Sequence, residues 1–377
     1  MSKDKEKLYD KGAVMPIKKS LKDSVNDFFF KALEKGVFDA VLIPMMVPSN
    51  DSFAYVLVKD KSLLKDGFFL PPTMSFQGAK AVSNVTRLGK GNMKIAAILR
   101  PCEIRGTVEL TKLEQTNLEN VTLFSMDCSG VMPTSDFIKH PDKAMKEYDE
   151  AVKNLDDKKM RPVCQICDKN SITDNDIHIG TFGAKKDSFY LIANSEKGKE
   201  TLKELGIASK DNIEIWRAKV KEQIKNRNKK RADKHKSFKT EIRGLDGLTN
   251  ALSQCINCHN CMRVCPICSC RLCFFDSDLV KHPSDDYLAQ SESKGSIRFL
   301  PDTMLFHIGR MMHMSLSCVS CGLCEDSCPV GIPVAQIFSM VADETQSLFN
   351  YEAGRSKDEP LPMKTFEKDE LHDVEDA

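Results

Sequence analysis

Two runs of cysteine carry the strongest chemical signal in this sequence. Cys255, Cys258, Cys261 and Cys265 follow one another at x2, x2 and x3 spacing, and Pro266 comes next. Cys318, Cys321, Cys324 and Cys328 repeat the spacing ahead of Pro329. This is the bacterial ferredoxin run: three close thiolates take three corners of one 4Fe-4S cubane, and the fourth ligates the other cubane. The expected sets are therefore Cys255, Cys258, Cys261 and Cys328 for one cluster, and Cys318, Cys321, Cys324 and Cys265 for the other. A CxxCxxC loop lets its side chains converge on one face of the cubane, and the proline ends the loop and removes a donor. Structural zinc takes four ligands from two CxxC pairs, and eight cysteines with trailing prolines suit it poorly.

Seven cysteines lie outside those sets. Cys268, Cys270 and Cys273 extend the first run, and three readings are open for them: buried thiols, a further metal site, or substitution of one for Cys265. Cys102, Cys128, Cys164 and Cys167 precede both runs. On spacing alone they read equally as unrelated buried thiols or as the ligands of a third cluster.

The elements that must hold these residues follow from apolar periodicity and punctuation. Ser20 caps a helix through about Lys35, with Val25, Phe28, Phe29, Ala32 and Leu33 on one face. Strands are expected at Ala40–Ile43, Ala54–Val58, Lys94–Leu99, Val121–Met126 and Ser188–Ala193. Helices are expected near Gln77–Leu88, Glu103–Leu113, 136–158 and 197–206. Strand, turn, helix and strand in that order suggest a parallel α/β unit. Sites in such sheets gather at the carboxyl ends of strands, where Cys102 and Cys128 fall. Fifty-two residues separate Cys265 from Cys318; a Met-rich apolar helix, about Asp302 to Leu316, is expected among them as core packing.

The fold class is thus an α/β domain followed by an α+β bacterial-type dicluster ferredoxin-like domain. The expected boundaries are a polar lead-in and helix at 1–36, the α/β domain at 37–210, a basic helical linker at 211–246, the dicluster domain at 247–354 and an acidic, poorly ordered tail at 355–377. Between Arg217 and Lys239 eleven Lys and Arg stand against two acidic residues. A solvated helix or linker and a docking surface for an acidic partner are both open there. Phe238 is the one Phe, Tyr or Trp among these charges, too few to interleave them as nucleic-acid stacking platforms.

Composition bounds the function classes. Charged residues make up 29% of the chain and the formal net charge is +1, so the molecule as a whole is not built to hold a polyanion. No apolar run approaches the length of a membrane span, and the charged start MSKDKEKLYDKG does not read as a secretory signal. Fifteen cysteines in a chain read as cytoplasmic favour metal over disulfides.

RPCEIRG (Arg100–Gly106) and the segment from Cys164 and Cys167 through CDKNSITDNDIHIGTFG to Gly183 resemble the coenzyme F420 hydrogenase/dehydrogenase beta-subunit family. That family includes the beta subunit of F420-dependent formate dehydrogenase. The resemblance covers about residues 37–195, with the ferredoxin domain placed after it. It implies an α/β flavoprotein with FAD and a 4Fe-4S cluster inside the flavin domain, here on Cys102, Cys128, Cys164 and Cys167. It also implies that Arg100, Glu103, Arg105, Asp176, Gly180 and Gly183 line the flavin pocket. The function implied is electron exchange between a hydride carrier, F420 or similar, and partner subunits of a formate dehydrogenase or hydrogenase. The alternative is a pure relay module of a heterodisulfide-reductase-like complex, without its own hydride donor. Nothing in the sequence reads as a formate-oxidising domain.

Overall fold

The computed structural model describes residues 11–171, 173–296, 300 and 302–365. Its strands are β1 (Lys11–Pro16), β2 (Ala40–Met46), β3 (Phe53–Val58), β4 (Ile95–Ile98), β5 (Val121–Met126), β6 (Ile177–Gly180), β7 (Ser188–Ala193) and β8 (Asp211–Asn212). They form one sheet in the order β3-β2-β4-β5-β6-β7-β1-β8. β2, β4, β5 and β6 run parallel, and the remaining neighbours pair antiparallel. β5 is buried along its whole length, as suits a central strand covered on both faces.

The helices that matter here are α1 (Leu21–Glu34), α2 (Gly78–Thr86), α3 (Pro101–Lys112), α4 (Pro141–Asn154), α5 (Glu196–Glu204), α6 (Glu214–Glu241), α7 (Thr303–Met314) and α8 (Val334–Leu348). The Ser20 side chain accepts the Asp23 N–H at the start of α1, which satisfies one of the donors a helix start leaves free. Phe28 and Phe29 of α1 meet Phe124 of β5 edge to face, and that cluster anchors the sheet. Pro101 at the first position of α3 has its fixed φ suited to helix entry. The Glu103 carboxylate then accepts the Arg100 N–H at 2.8 Å, which closes the first turn.

Three expectations change. The polar lead-in contains β1, whose Ala13 and Val14 pair with Leu191 and Tyr190. Its composition gave no strand signal, because cross-strand pairing and not propensity decides such a segment. The dicluster region is not α+β: among the described residues of 247–354 there are helices and short turns but no strand. Helix faces supply its core instead, with Phe306, Met314, Ile337, Phe338 and Met340 packed around partly buried cysteines. The region from Arg355 is not all free tail. The Lys357 N–H donates to Asp174 at 2.7 Å and Leu361 is buried; residues 366–377 lie outside the described residues.

Polar contacts fix the two parts together. Arg161 and Asp326 pair at 2.5 Å with both side chains buried. Asp326 also accepts the Thr134 N–H at 3.0 Å and the Thr134 hydroxyl. Arg105 of α3 donates to the carbonyls of Ala353 and Val319 at 2.9 and 3.2 Å.

Candidate metal centre

In the α/β part, Pro101-Cys102 follows β4 as the first turn of α3, and Cys128 follows β5. Cys164 lies on a short helical turn, Pro162–Gln165, after α4, and Cys167 just beyond it, on the way to β6. Chain order alone does not join these positions; the parallel sheet does, by lining up the ends of β4 and β5. The Cys102 thiol is pushed well up by burial, with Glu103, Cys321, Cys128 and Cys167 adding to the shift. Burial likewise pushes Cys164 up to about 11, Arg161 opposing and Cys128 and Cys167 adding. Cys128 and Cys167 thus each lie near both Cys102 and Cys164. Gly130 makes this close approach workable: it has φ +123, and a Cβ there would stand 2.9 Å from that of Cys164.

The two ferredoxin runs interleave. The Cys261 thiol is raised to about 11 by burial, opposed by Arg310 and reinforced by Cys255, Cys258 and Cys328. The Cys321 thiol is raised to about 12 by burial, then by Cys265, with Cys318 adding. Cys324 is raised further, by burial and then by Cys321, with Cys265 and Cys318 adding. So Cys328 sits among the first three cysteines of the other run, and Cys265 among the second three. Of the extra cysteines, Cys268 lies beside Cys265 and 3.3 Å from the Met314 sulfur, Cys273 lies 3.7 Å from the Met262 sulfur, and Cys270 is exposed.

Among the described residues no three His, Cys, Asp or Glu side chains close on a point that a single ion would fill. A cubane is held differently, by four thiolates at the corners of a cluster. The chemistry around the sulfurs suits such an anionic group. Arg100 Nη1 lies 3.1 Å from Cys128 Sγ and Arg310 Nη1 lies 3.2 Å from Cys261 Sγ. Arg227 of α6 donates to the carbonyls of Cys164, Cys167 and Ser129 at 2.9, 3.3 and 3.1 Å. Hydrogen bonds and nearby positive charge are what a cluster with thiolate ligands requires in a buried site. The arginines were the part that cysteine spacing did not announce. Arg310 sits in the segment read as plain core, and Arg227 in the segment read as solvated.

The six residues implied as a flavin pocket do not converge on one cavity. Arg100 and Glu103 border a small cavity with Tyr55, Pro71 and Phe76. Arg105 lines a different one, about 320 Å³, between Cys167 and Cys318. Asp176 precedes β6 and so lies at the opposite edge of the sheet, where its carboxylate accepts the Leu123 N–H and the Ser195 hydroxyl at 2.8 and 2.6 Å. Gly180 makes room for a side chain rather than a cofactor, since a Cβ there would stand 2.9 Å from Trp216 Nε1. Gly183 turns against Ile215 and Lys219 of α6.

A buried hub missing from the sequence reading holds the end of β5. Asp127, next to Cys128, is 2% exposed. Its carboxylate accepts Ser171 Oγ, lies 3.0 Å from His178 Nε2, and accepts the Thr181 and Phe182 N–H groups and Trp216 Nε1–H at 2.6, 2.8 and 2.8 Å. Burial opposes its charge, but these hydrogen bonds, His178 first, hold the carboxyl below its ordinary value.

α6 is neither free nor merely solvated. Its Trp216, Val220, Arg227 and Phe238 are buried, and Arg231 pairs with Asp343 of α8 at 2.6 Å. The lysines stay outside. Replacing Lys221, Lys225, Lys229, Lys234 and Lys236 together with glutamine is expected to leave iron content unchanged, whereas Arg227→Ala lowers it. Iron and acid-labile sulfide assays on both variants check this, and equal iron in wild type and Arg227→Ala would refute it.

This fold and these thiols define an iron–sulfur protein in two parts, an α/β sheet domain and a dicluster domain. Residues 251–332 match the model of the 4Fe-4S dicluster domain. Over most of its length the chain is similar to F420-dependent formate dehydrogenase beta subunits. The F420-dependent formate dehydrogenase subunit beta of Methanocaldococcus jannaschii is 28% identical, over 73% of this chain and 77% of the relative. The F420-dependent formate dehydrogenase 1 subunit beta of Methanococcus maripaludis is 29% identical, over 89% of this chain and 92% of the relative. These homologues are subunits of oxidoreductases. A chain of the F420-reducing NiFe hydrogenase complex of Methanosarcina barkeri overlays 63% of this chain and 94% of its own length at 12% identity, with a TM-score of 0.43, too low to bear on function. Among the described residues no helix is long and apolar enough to cross a membrane.

Proposed function

We propose that this chain is the electron-transfer beta subunit of an F420-dependent formate dehydrogenase-type complex. In this reading Cys102, Cys128, Cys164 and Cys167 hold one 4Fe-4S cluster, Cys318, Cys321, Cys324 and Cys265 a second, and Cys255, Cys258, Cys261 and Cys328 a third. The observation that carries the reading is that the three sets adjoin in series. Cys102 and Cys321 of the second set pack against the same buried cluster of Met74, Val131 and Leu323. Arg310 lies 3.2 Å from Cys261 Sγ of the third set and lines one cavity with Cys265 and Cys324 of the second. A 4Fe-4S cluster carries one electron at a time, and a bound flavin takes a hydride and gives its electrons up singly. The residues supply a buried path from the carboxyl edge of the sheet, through α3 and the Cys318 loop, to the Cys255 loop. Ile256 in that last loop is 52% exposed, which makes it the end open to another subunit of the complex. Formate chemistry belongs to such a partner.

FAD rests on the resemblance alone, and F420 or a similar carrier as its hydride partner on the resemblance and the relatives' names, not on the geometry of the six residues above. Their dispersal favours the second reading, a relay without its own hydride donor. The chain isolated without oxygen is expected to hold about twelve irons, on four per cubane, to release FAD on denaturation, and to reduce its clusters with reduced F420. Twelve irons without flavin or F420 turnover would select the relay. Zinc in place of iron would refute both.

A further inference from the structure

Arg310 is a cation with no carboxylate. It lies on α7, in the segment between the two ferredoxin runs, and is 2% exposed. Its Nη1 reaches Cys261 Sγ and its Nη2 reaches the Cys261 carbonyl, both at 3.2 Å. Its guanidinium packs 5.6 and 4.9 Å from the ring centroids of Phe306 and Phe338. Its Nε has no hydrogen-bond partner, and no ion pair reaches it among the described residues. It also borders a small cavity lined by Cys265, Cys318, Cys321 and Cys324.

A buried cation without a counter-ion costs several kcal/mol. A protein tolerates one where something else supplies the negative charge. Arg161 has Asp326 for this purpose and Arg231 has Asp343. Arg310 has only sulfur, from both thiol sets. Hydrogen bonds to the sulfurs and net charge set the potentials of such clusters. A fixed positive charge stabilises the more negative, reduced state, and more strongly at the nearer sulfur.

We propose that Arg310 is a positioning residue that raises the reduction potential of the cluster held by Cys255, Cys258, Cys261 and Cys328, and more weakly that of the neighbouring Cys318 set. It thereby biases electrons towards the far end of the path. The inference rests on the ligand reading above and adds to it a direction of tuning. The step is a one-electron reduction in each case, with the electron taken from the preceding cluster and no proton moved.

The test is an EPR-monitored redox titration of the full-length, anaerobically isolated protein and its Arg310→Gln and Arg310→Lys variants. Arg310→Gln is expected to lower the equilibrium constant for reducing the Cys255-set cluster at least about tenfold, about 59 mV for one electron. The Cys318-set cluster should shift the same way by less. The α/β-domain cluster, identified by its absence in Cys128→Ser, should not move. Arg310→Lys keeps a charge but draws it back from Cys261, so its fall should be smaller. An unmoved potential at full iron content overturns the proposal, and so do equal shifts in the two variants, which would indicate packing instead of charge. Should glutamine cost the cluster its iron, Arg310→Lys decides alone, and no fall there overturns the proposal. Wild-type protein without about twelve irons would sink the ligand reading itself, a failure separate from this one.

Discussion

Replacing Cys128 with serine is expected to remove about four irons from each chain, on the four-iron stoichiometry of one cubane, and to leave the other two clusters in place. Cys128 is 8% exposed and follows the buried β5. Its N–H donates to the Asn170 carbonyl at 2.8 Å, so the backbone at this position is fixed whether or not metal is bound. Its sulfur receives Arg100 and neighbours Cys102 and Cys164. With four cysteines in this part of the chain, the set has no substitute ligand. Burial pushes the Cys102, Cys164 and Cys167 thiols up, so cluster assembly, which takes thiolates, releases protons. Cysteine retained at 128 but removed from Cys270, which is exposed, should change nothing. Iron and sulfide assays with EPR of the reduced protein check the expectation. Unaltered iron in Cys128→Ser would remove the third cluster and leave the α/β domain passing electrons straight to the dicluster domain. A loss of all twelve would mean that the three sets fold as one unit.

Asp127→Ala should be the most destabilising single change outside the cysteines. The carboxylate gathers β5, β6, the 181–182 turn and α6 at one buried point. Alanine removes the acceptor from two backbone N–H groups, the Trp216 indole and the Ser171 hydroxyl, at a buried site. Each orphaned buried donor costs about 1–3 kcal/mol, so a loss of at least about 3 kcal/mol is expected. Urea unfolding of the anaerobic protein measures it. Asp127→Asn, which keeps the shape and part of the acceptor capacity, should lose less. Iron bound through the neighbouring Cys128 should fall in step with stability, because the hub fixes the strand end that carries that thiol. A change under about 1 kcal/mol in Asp127→Ala would show that the network is not a structural hub.

Electrostatics in the joint between the two parts points the same way. Arg161 with Asp326, Arg231 with Asp343, and Arg105 with two carbonyls all span it. All three arginines also flank cysteines named above, so the residues that fix the two domains also surround the path between them. The cleft lined by Arg105, Cys167, Arg231 and Cys318 lies at this joint.

The sequence by itself determined the pieces that repeat at short range. Two CxxCxxCxxxCP runs gave the dicluster region and its eight thiols, because three ligands within seven residues leave the chain few ways to wrap. Apolar periodicity gave α1, β5 and β7, since a face that must be buried writes its period into the sequence. The motif around Pro101-Cys102 led to the relatives that the chain in fact has. What depended on contacts far apart in sequence was decided only by the tertiary structure. β1 is a strand because β7 and β8 pair with it, not because of its own residues. Cys102 and Cys128 came together because the parallel strands β4 and β5 end at one edge, and the chain between α4 and β6 brings Cys164 and Cys167 to Cys128 and Cys102. The same register put Asp176 at the other edge, away from the pocket assigned to it. Arg227 and Arg310 look like one more charge in a basic helix and one more residue in an apolar one. Their place beside cysteines follows from which face of each helix packs inward, and a charge buried against sulfur leaves no period in the sequence by which to find it.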